Sequence, residues 1–208
     1  MSTETTNENE SNLPTLALFD FDGTISRRNS FLEFIAYTKG RPSLYFGLFT
    51  FIPTAVLRVT RQISADELKR RFFAKFCADS SAEDFHQSAS DFGQDILPDF
   101  VQPEAAAAIR QHKNSGDTVV VVSASFQEVL KPWCDLMDVV CIATVMEIKH
   151  GIITGQLDTP ICWGEQKTTR IKQALDLTAF GKIVAYGNSR GDKEMLALAD
   201  EAFFKPFR

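Results

Sequence analysis

Apolar residues in this chain gather into short runs that end in polar groups. Leu16 to Asp20 is one such run, closing on an aspartate, and it reads as a buried strand. From about Ser30 to Arg110 the pattern changes to helical character. Thr118 to Val122 carries four consecutive valines after a Ser-Gly-Asp turn, the clearest strand signal in the sequence. Phe126 to Leu136 reads as a helix that Pro132 should kink or break. Val139 to Ala143 is a third strand, and Val145 to Leu157 alternates around His150-Gly151 as a β-hairpin would. Glu165 to Leu175 has helical spacing, Lys182 to Tyr186 is another apolar strand, and Asp192 to Leu198 is a short helix. Ala202 to Phe204 closes the series as an edge strand.

Strands that alternate with helices imply an α/β fold whose parallel sheet is covered on both faces. Active sites of such sheets lie at the carboxyl ends of the strands, near the point where strand order reverses. The polar residues just beyond each apolar run are Asp20 and Asp22, then Ser123, then Asn188 and Asp192.

Composition changes this picture little, and charge changes it more. With 208 residues the chain can bury one sizeable core and a smaller appended unit. The four cysteines, Cys77, Cys134, Cys141 and Cys162, form no CxxC pair, which suits reduced thiols in a cytoplasm and argues against a zinc site. The polar, acidic first residues carry no signal-peptide pattern and read as a disordered tail over residues 1–13. Residues 27–75 hold 10 Lys/Arg and 3 Asp/Glu, a net of +7, whereas the remainder holds 12 and 24, a net of −12. A solvated helix face or an anionic partner would each account for that asymmetry. An acidic chain with no reading motif gives no support to nucleic-acid binding.

The segment Phe19-Asp20-Phe21-Asp22-Gly23-Thr24 concentrates the chemistry. Residues two apart on an extended strand project to one side, so Asp20 and Asp22 would share a site. Paired carboxylates repel, and such a pair calls for a cation or a shared proton. A calcium loop begins the same way, but its glycine and terminal glutamate positions hold Ile25 and Phe31. Ser123 follows the valine run at a strand end, where its hydroxyl and the next backbone amides can meet a phosphate. Lys167 lies early in a helix, a position the helix dipole does not favour for a cation, so an anionic partner would explain it. Gly187-Asn188-Ser189-Arg190-Gly191-Asp192 offers oxygen ligands for a hard cation such as Mg2+.

Asp20-Phe21-Asp22-Gly23-Thr24, Ser123-Ala124-Ser125, Lys167 and Gly187 to Asp192 together resemble the four motifs of the haloacid dehalogenase superfamily, in its phosphoserine-phosphatase-like branch. The resemblance implies a Rossmann-like parallel-sheet core over residues 14–29 and 103–208, a helical cap over 30–102, and a β-hairpin flap near Met146 to Leu157. It implies a phosphatase in which Asp20 is the nucleophile and Asp22 the general acid and base. Ser123 and Lys167 would neutralise the phosphoryl oxygens, beside Gly23, Thr24 and Ala124 in the substrate site. Mg2+ would be held by Asp20, Asp22 through its main-chain carbonyl, Asn188 and Asp192. The chain departs from the pattern at Asn188, where many relatives carry aspartate. A non-catalytic phosphate-binding module is the alternative that this departure leaves open.

Phosphoserine phosphatases of the branch place a glutamate where this chain has Asn29, which argues against phosphoserine as substrate. Pro42 to Leu57 is an uncharged, Phe-rich run interrupted by Pro53 and flanked by Arg41 and Arg58. It would either pack the cap against itself or rest on anionic lipid, and it resembles the caps of phosphatidylglycerophosphatase-like members of the branch, which act on lipid phosphates. The expected substrate is therefore a phosphomonoester with an apolar portion, such as a lysophosphatidate or a phosphatidylglycerol phosphate. A soluble metabolite is the alternative. The expected location is the cytoplasm, with peripheral membrane contact through the cap, and no protein partner is expected.

Overall fold

The computed structural model describes residues 13–207; apart from Leu13, the expected tail lies outside them, and so does Arg208. Five parallel strands form the central sheet: β1 (Thr15–Phe19), β2 (Thr118–Phe126), β3 (Val140–Thr144), β6 (Lys182–Gly187) and β7 (Glu201–Phe204), in the order β3-β2-β1-β6-β7. Each inner strand is buried from both sides. Ala17, Phe19, Val119 and Val121 face one apolar layer, while Leu16, Leu18, Val120 and Val122 face the other. Continuous apolar runs are the sequence form of such strands, which is why the four valines of β2 are so plain. From β1 the chain crosses to β2 on one side and later returns to β6 on the other. The carboxyl ends of β1 and β6 therefore flank the switch point where a doubly wound sheet opens a crevice.

Between β1 and the returning helix α5 (Pro103–Asn114) lies the helical cap: α1 (Ser30–Lys39), α2 (Arg41–Val59), α3 (Ala65–Cys77) and α4 (Ala82–Asp91), followed by a π-turn and a 3-10 turn up to Phe100. Side-chain caps start three of these helices, with Asn29, Ser64 and Ser81 each accepting a backbone N–H of the first turn. An aromatic cluster fixes the cap on the core: Phe31 of α1 meets Phe126 at the end of β2 at 4.6 Å, and Phe73 of α3 meets the same ring at 4.5 Å. In α2, only Leu44 and Gly47 are buried. Most of the Phe-rich run thus faces away from the protein, and packing of the cap against itself does not account for it.

The hairpin expected around His150-Gly151 is β4 (Met146–Lys149) and β5 (Ile152–Leu157), turned by His150 at φ 52° and Gly151 at φ 77°. Two adjacent positive φ values match the twist of a two-residue hairpin loop. Its main chain exchanges hydrogen bonds with the cap, Asp79 N to Ile153 O at 2.9 Å and Ile153 N to Ser80 O at 3.0 Å. Flap and cap are therefore joined.

Two expectations are corrected locally. Helix α6 (Gln127–Leu136) continues through Pro132, which packs closely on Gly93 instead of ending the helix. Strand β2 runs on past Val122 to Phe126 through an irregular register between Ser123 and Phe126, a bulge that re-aims Ser123 and Ser125. Helices α7 (Glu165–Ala174) and α8 (Lys193–Leu198) cover the second face. All four cysteines are free thiols.

Candidate active site

Asp20 follows β1 directly, and its main-chain N–H donates to Tyr186 O of β6 at 2.9 Å, so the sheet itself fixes where the carboxylate points. That carboxylate is almost fully buried. Lys167 Nζ donates to its Oδ1 at 2.7 Å, and Thr24 Oγ donates to its Oδ2 at 3.0 Å. Lys167 is itself only 1% exposed and also reaches Asp192 Oδ1 and Val122 O, both at 2.6 Å. One ammonium thus spends its three donors on two carboxylates and the Val122 carbonyl of β2. The position of Lys167 on α7, odd for a surface helix, is explained by these two buried anions.

Burial pushes the Asp20 carboxyl up, against the pull of Lys167, and the neighbouring Asp192 pushes it further. Burial works against the Lys167 ammonium too, but Asp20 and Asp192 outweigh it and raise that group. Asp192 moves the other way. Its burial is overcome by Lys167 and by the Ser189 hydrogen bonds, which hold its carboxyl below the usual range.

Asp22 is half-buried and lines the same cavity as Asp20. Its Oδ1 accepts the Ser30 N–H at 2.8 Å and its Oδ2 accepts Asn29 Nδ2 at 2.9 Å. Desolvation dominates and raises its pKa to about 6, although the Ser30 bonds oppose the rise. Asn29 therefore has two tasks: its amide nitrogen steadies Asp22 while its Oδ1 caps α1 through Leu32 N at 3.0 Å. A glutamate at this position would set a second carboxylate against Asp22.

Ser123 is buried, and its Oγ accepts Ser125 N–H at 3.0 Å, while the Ser125 hydroxyl pairs with that of Ser30 at 2.7 Å. Asn188 follows β6 and donates from Nδ2 to the Asp22 carbonyl at 3.2 Å. Gly23 makes this approach feasible: it sits at φ +85°, and a Cβ there would lie 2.0 Å from Asn188 Nδ2. Asp192 Oδ2 accepts from Asn188 N, Ser189 N and Ser189 Oγ at 3.1, 2.9 and 2.8 Å.

These contacts sort the expected metal ligands. Among the described residues no cluster of three His, Cys, Asp or Glu side chains could hold an ion. Asp20, the Asp22 carbonyl and Asn188 nevertheless bring hard oxygen donors to one cavity; Asn188 turns its Nδ2 to that carbonyl at 3.2 Å, and its amide oxygen is the atom that would serve a cation. The set fits Mg2+. Asp192 has a further task, since its oxygens accept from Lys167 and from the Asn188–Ser189 turn as those of Asp20 accept from Lys167 and Thr24. It positions Lys167 and the turn that carries Asn188.

Asp20, Asp22, Ser123, Ala124, Lys167, Asn188 and Asp192 all line one cavity of about 320 Å³. Gly23 and Thr24 form its turn, Thr24 buried against Asp20. Lys69 and Trp163, which the sequence did not single out for the site, share that cavity with Ser125 of the second motif. Lys69 enters from α3, lies 5.6 Å from the Phe126 ring centre and donates to the Ala124 carbonyl. Burial lowers its pKa to about 8, with Asp22 opposing. Ser125 lies within the bulge. Trp163 lies over Gly191, where a Cβ would sit 2.1 Å from Nε1, so the glycine in the last motif makes room for an indole at the cavity edge. No local signal marks Lys69, whereas Gly191 at least marks a position where something approaches the backbone closely.

Residues 17–197 match the family model described as haloacid dehalogenase-like hydrolase. The chain belongs to that family. Protein CicA of Caulobacter vibrioides is 30% identical over 205 residues, covering 94% of this chain and 87% of that one. A protein of Mycobacterium tuberculosis named as a probable phosphatase is 29% identical over 201 residues, covering 90% and 67%. A solved phosphoserine phosphohydrolase-like protein of Francisella tularensis superposes with a TM-score of 0.63 at 17% identity, over 90% of this chain and 84% of that one. The haloacid dehalogenase fold, with its parallel sheet and its likeness to phosphoserine-phosphatase-like structures, is the one expected from the motifs, and the chain is a hydrolase of this family.

Proposed function

We propose that this haloacid dehalogenase-like hydrolase is a Mg2+-dependent phosphomonoesterase that works through an aspartyl-phosphate on Asp20, and that its substrate has an apolar portion. The observation that carries the reading is the Asp20 carboxylate, buried and held at both oxygens by Lys167 and Thr24. An oxygen of Asp20 attacks phosphorus, the ester P–O bond breaks, and the leaving oxygen takes a proton from Asp22. Asp22, then ionised, accepts a proton from the water that attacks the aspartyl-phosphate, releasing inorganic phosphate and restoring Asp20. Lys167 and the Ser123 hydroxyl neutralise charge on the transferred oxygens, with the Ala124 backbone beside them. Asp20, the Asp22 carbonyl and Asn188 would hold Mg2+, whose charge would favour the approach of the carboxylate to the phosphoryl group. A pKa near 6 suits a group that must alternate between acid and base close to neutrality.

The apolar portion is argued from the cavity wall opposite the aspartates, which is Phe31, Leu32 and Phe72. Phe72 in turn packs edge-on against Phe51 of the outward-facing helix α2 at 5.2 Å. Peripheral contact between the cap and a membrane belongs to the same reading. A second reading, a small soluble phosphate, draws on Lys69, a cavity-lining cation suited to a second anionic group on a compact substrate. Initial rates on lysophosphatidate and on phosphoserine, with Mg2+ present, separate the two. The proposal predicts preference for the lipid, and turnover of the water-soluble ester alone would overturn the apolar part.

A further inference from the structure

Helix α2 is 19 residues long with a mean hydropathy of 1.3, yet only 11% of it is buried. Its exposed apolar residues are not scattered. Tyr45, Phe49, Ile52, Val56 and Val59 recur at spacings of four and three, which places them on one side of the helix. Phe49 is 68% and Val59 82% exposed, with Phe46 beside them at 70%. A contiguous apolar stripe of this kind on a folded domain marks a contact surface.

The charges around the stripe indicate what covers it. No carboxylate occurs between Glu33 and Asp66, in a chain with 27 of them, while Lys39, Arg41, Arg58 and Arg61 stand exposed at the two ends of the helix. Two copies meeting antiparallel through this face would bring Arg41 of each onto Arg58 of the other, a repulsive arrangement. A bilayer with anionic headgroups instead meets apolar side chains at its acyl boundary and arginines at its surface. We infer that α2 docks flat on an anionic membrane, with the Tyr45–Val59 stripe inserted and the flanking arginines on lipid phosphates. The inference deepens the reading of an amphiphilic substrate by naming the surface from which it is taken.

Spanning is not the geometry. The back of α2 is tied to the cap, where Gly47 lies so close to Phe76 that a Cβ would come within 2.2 Å of the ring. A helix held in this way lies along the interface.

Co-sedimentation of the full chain with phosphatidylcholine vesicles, with and without phosphatidylglycerol, tests the surface. Hydrolysis of a soluble aryl phosphate is followed in the same samples. Binding to the phosphatidylglycerol vesicles is expected, weakened by salt, and at least about tenfold weaker in a Phe49→Ser/Ile52→Ser variant, since two large apolar side chains leave the acyl boundary. These positions are exposed, so the variant should keep its melting temperature and aryl phosphatase rate. Wild-type protein that is folded and active but ignores anionic vesicles would overturn the inference and leave the phosphatase reading standing. A concentration-dependent dimer that the double variant abolishes would overturn it in favour of self-association. Vesicle binding without aryl phosphatase activity would support the docking surface while removing the catalytic reading.

Discussion

Lys167 is the most severe single removal that the structure allows, and its cost can be worked out. Methionine keeps its length and volume but leaves Asp20 and Asp192 buried side by side, having lost contacts at 2.7 and 2.6 Å. Taking away one partner of a buried ion pair costs about 3–5 kcal/mol, and serving two carboxylates places Lys167→Met at the upper end. Relief comes through protonation, which fixes the sign of the pH dependence. Without the lysine, one of the two carboxyls titrates well above its unfolded value of about 3.9, so the native variant binds a proton that the unfolded chain has released. Stability then falls as pH rises through that interval and returns as pH is lowered. Over the range in which the variant holds one more proton than the wild type, its deficit shrinks by about 1.4 kcal/mol per pH unit. Urea denaturation in the presence of chelator, at about pH 7.5 and about pH 5.5, measures both, and the deficit should contract by about 1–3 kcal/mol. Fluorescence of Trp133, buried against Phe21 at 5.3 Å, reports unfolding. A deficit below about 1 kcal/mol, or one of equal size at both pH values, would refute the picture of a lysine neutralising two buried acids.

Three other outcomes follow from single contacts. For alkyl phosphates, whose leaving oxygen needs a proton, kcat/KM should fall about tenfold per pH unit once pH passes the Asp22 value of about 6, because only the protonated form is the acid; a flat profile up to neutral pH would remove Asp22 from that role. Gly23→Ala, at φ +85° with its new Cβ 2.0 Å from Asn188, should cost more than about 1 kcal/mol and displace Asn188 enough to lower kcat/KM by about 100-fold; a chevron or urea curve beside steady-state kinetics checks both, and an unaffected rate would deny Asn188 a place at the reaction centre. Asn188→Asp adds a charge to the oxygen set and should reduce the Mg2+ concentration for half-maximal activity by about tenfold, whereas an unchanged requirement would mean that Asn188 is not a ligand.

Much of this architecture was legible in the sequence for a physical reason. Strands buried on both faces must be apolar throughout, so Leu16 to Phe19 and Val119 to Val122 announce themselves, and a parallel sheet presents its chemistry at the strand ends that follow. That logic located Asp20, Asp22, Ser123 and Asn188. It could not find Lys69, which reaches the cavity from a helix of the cap with no strand end to mark it. Nor could it decide which way the Phe-rich run faces, because hydrophobicity records that a residue avoids water but not what it meets. Asp192 was recognised as a site residue, but its grip on Lys167 and on the Asn188–Ser189 turn depends on which atoms its two oxygens accept from, and spacing carries no information about that. Pro132 misled because a proline inside a helix need not end it: α6 runs on to Leu136, with the ring packed closely on Gly93.

The central claim is that Asp20 forms a covalent phosphoryl intermediate with the help of Mg2+. The direct measurement is hydrolysis of an aryl phosphate by purified protein with Mg2+ and with excess chelator, beside an Asp20→Asn variant of confirmed fold. The account predicts turnover that requires the metal and is abolished in Asp20→Asn, since the amide cannot attack phosphorus. Metal-dependent turnover that persists in the variant would contradict it and move the nucleophile elsewhere.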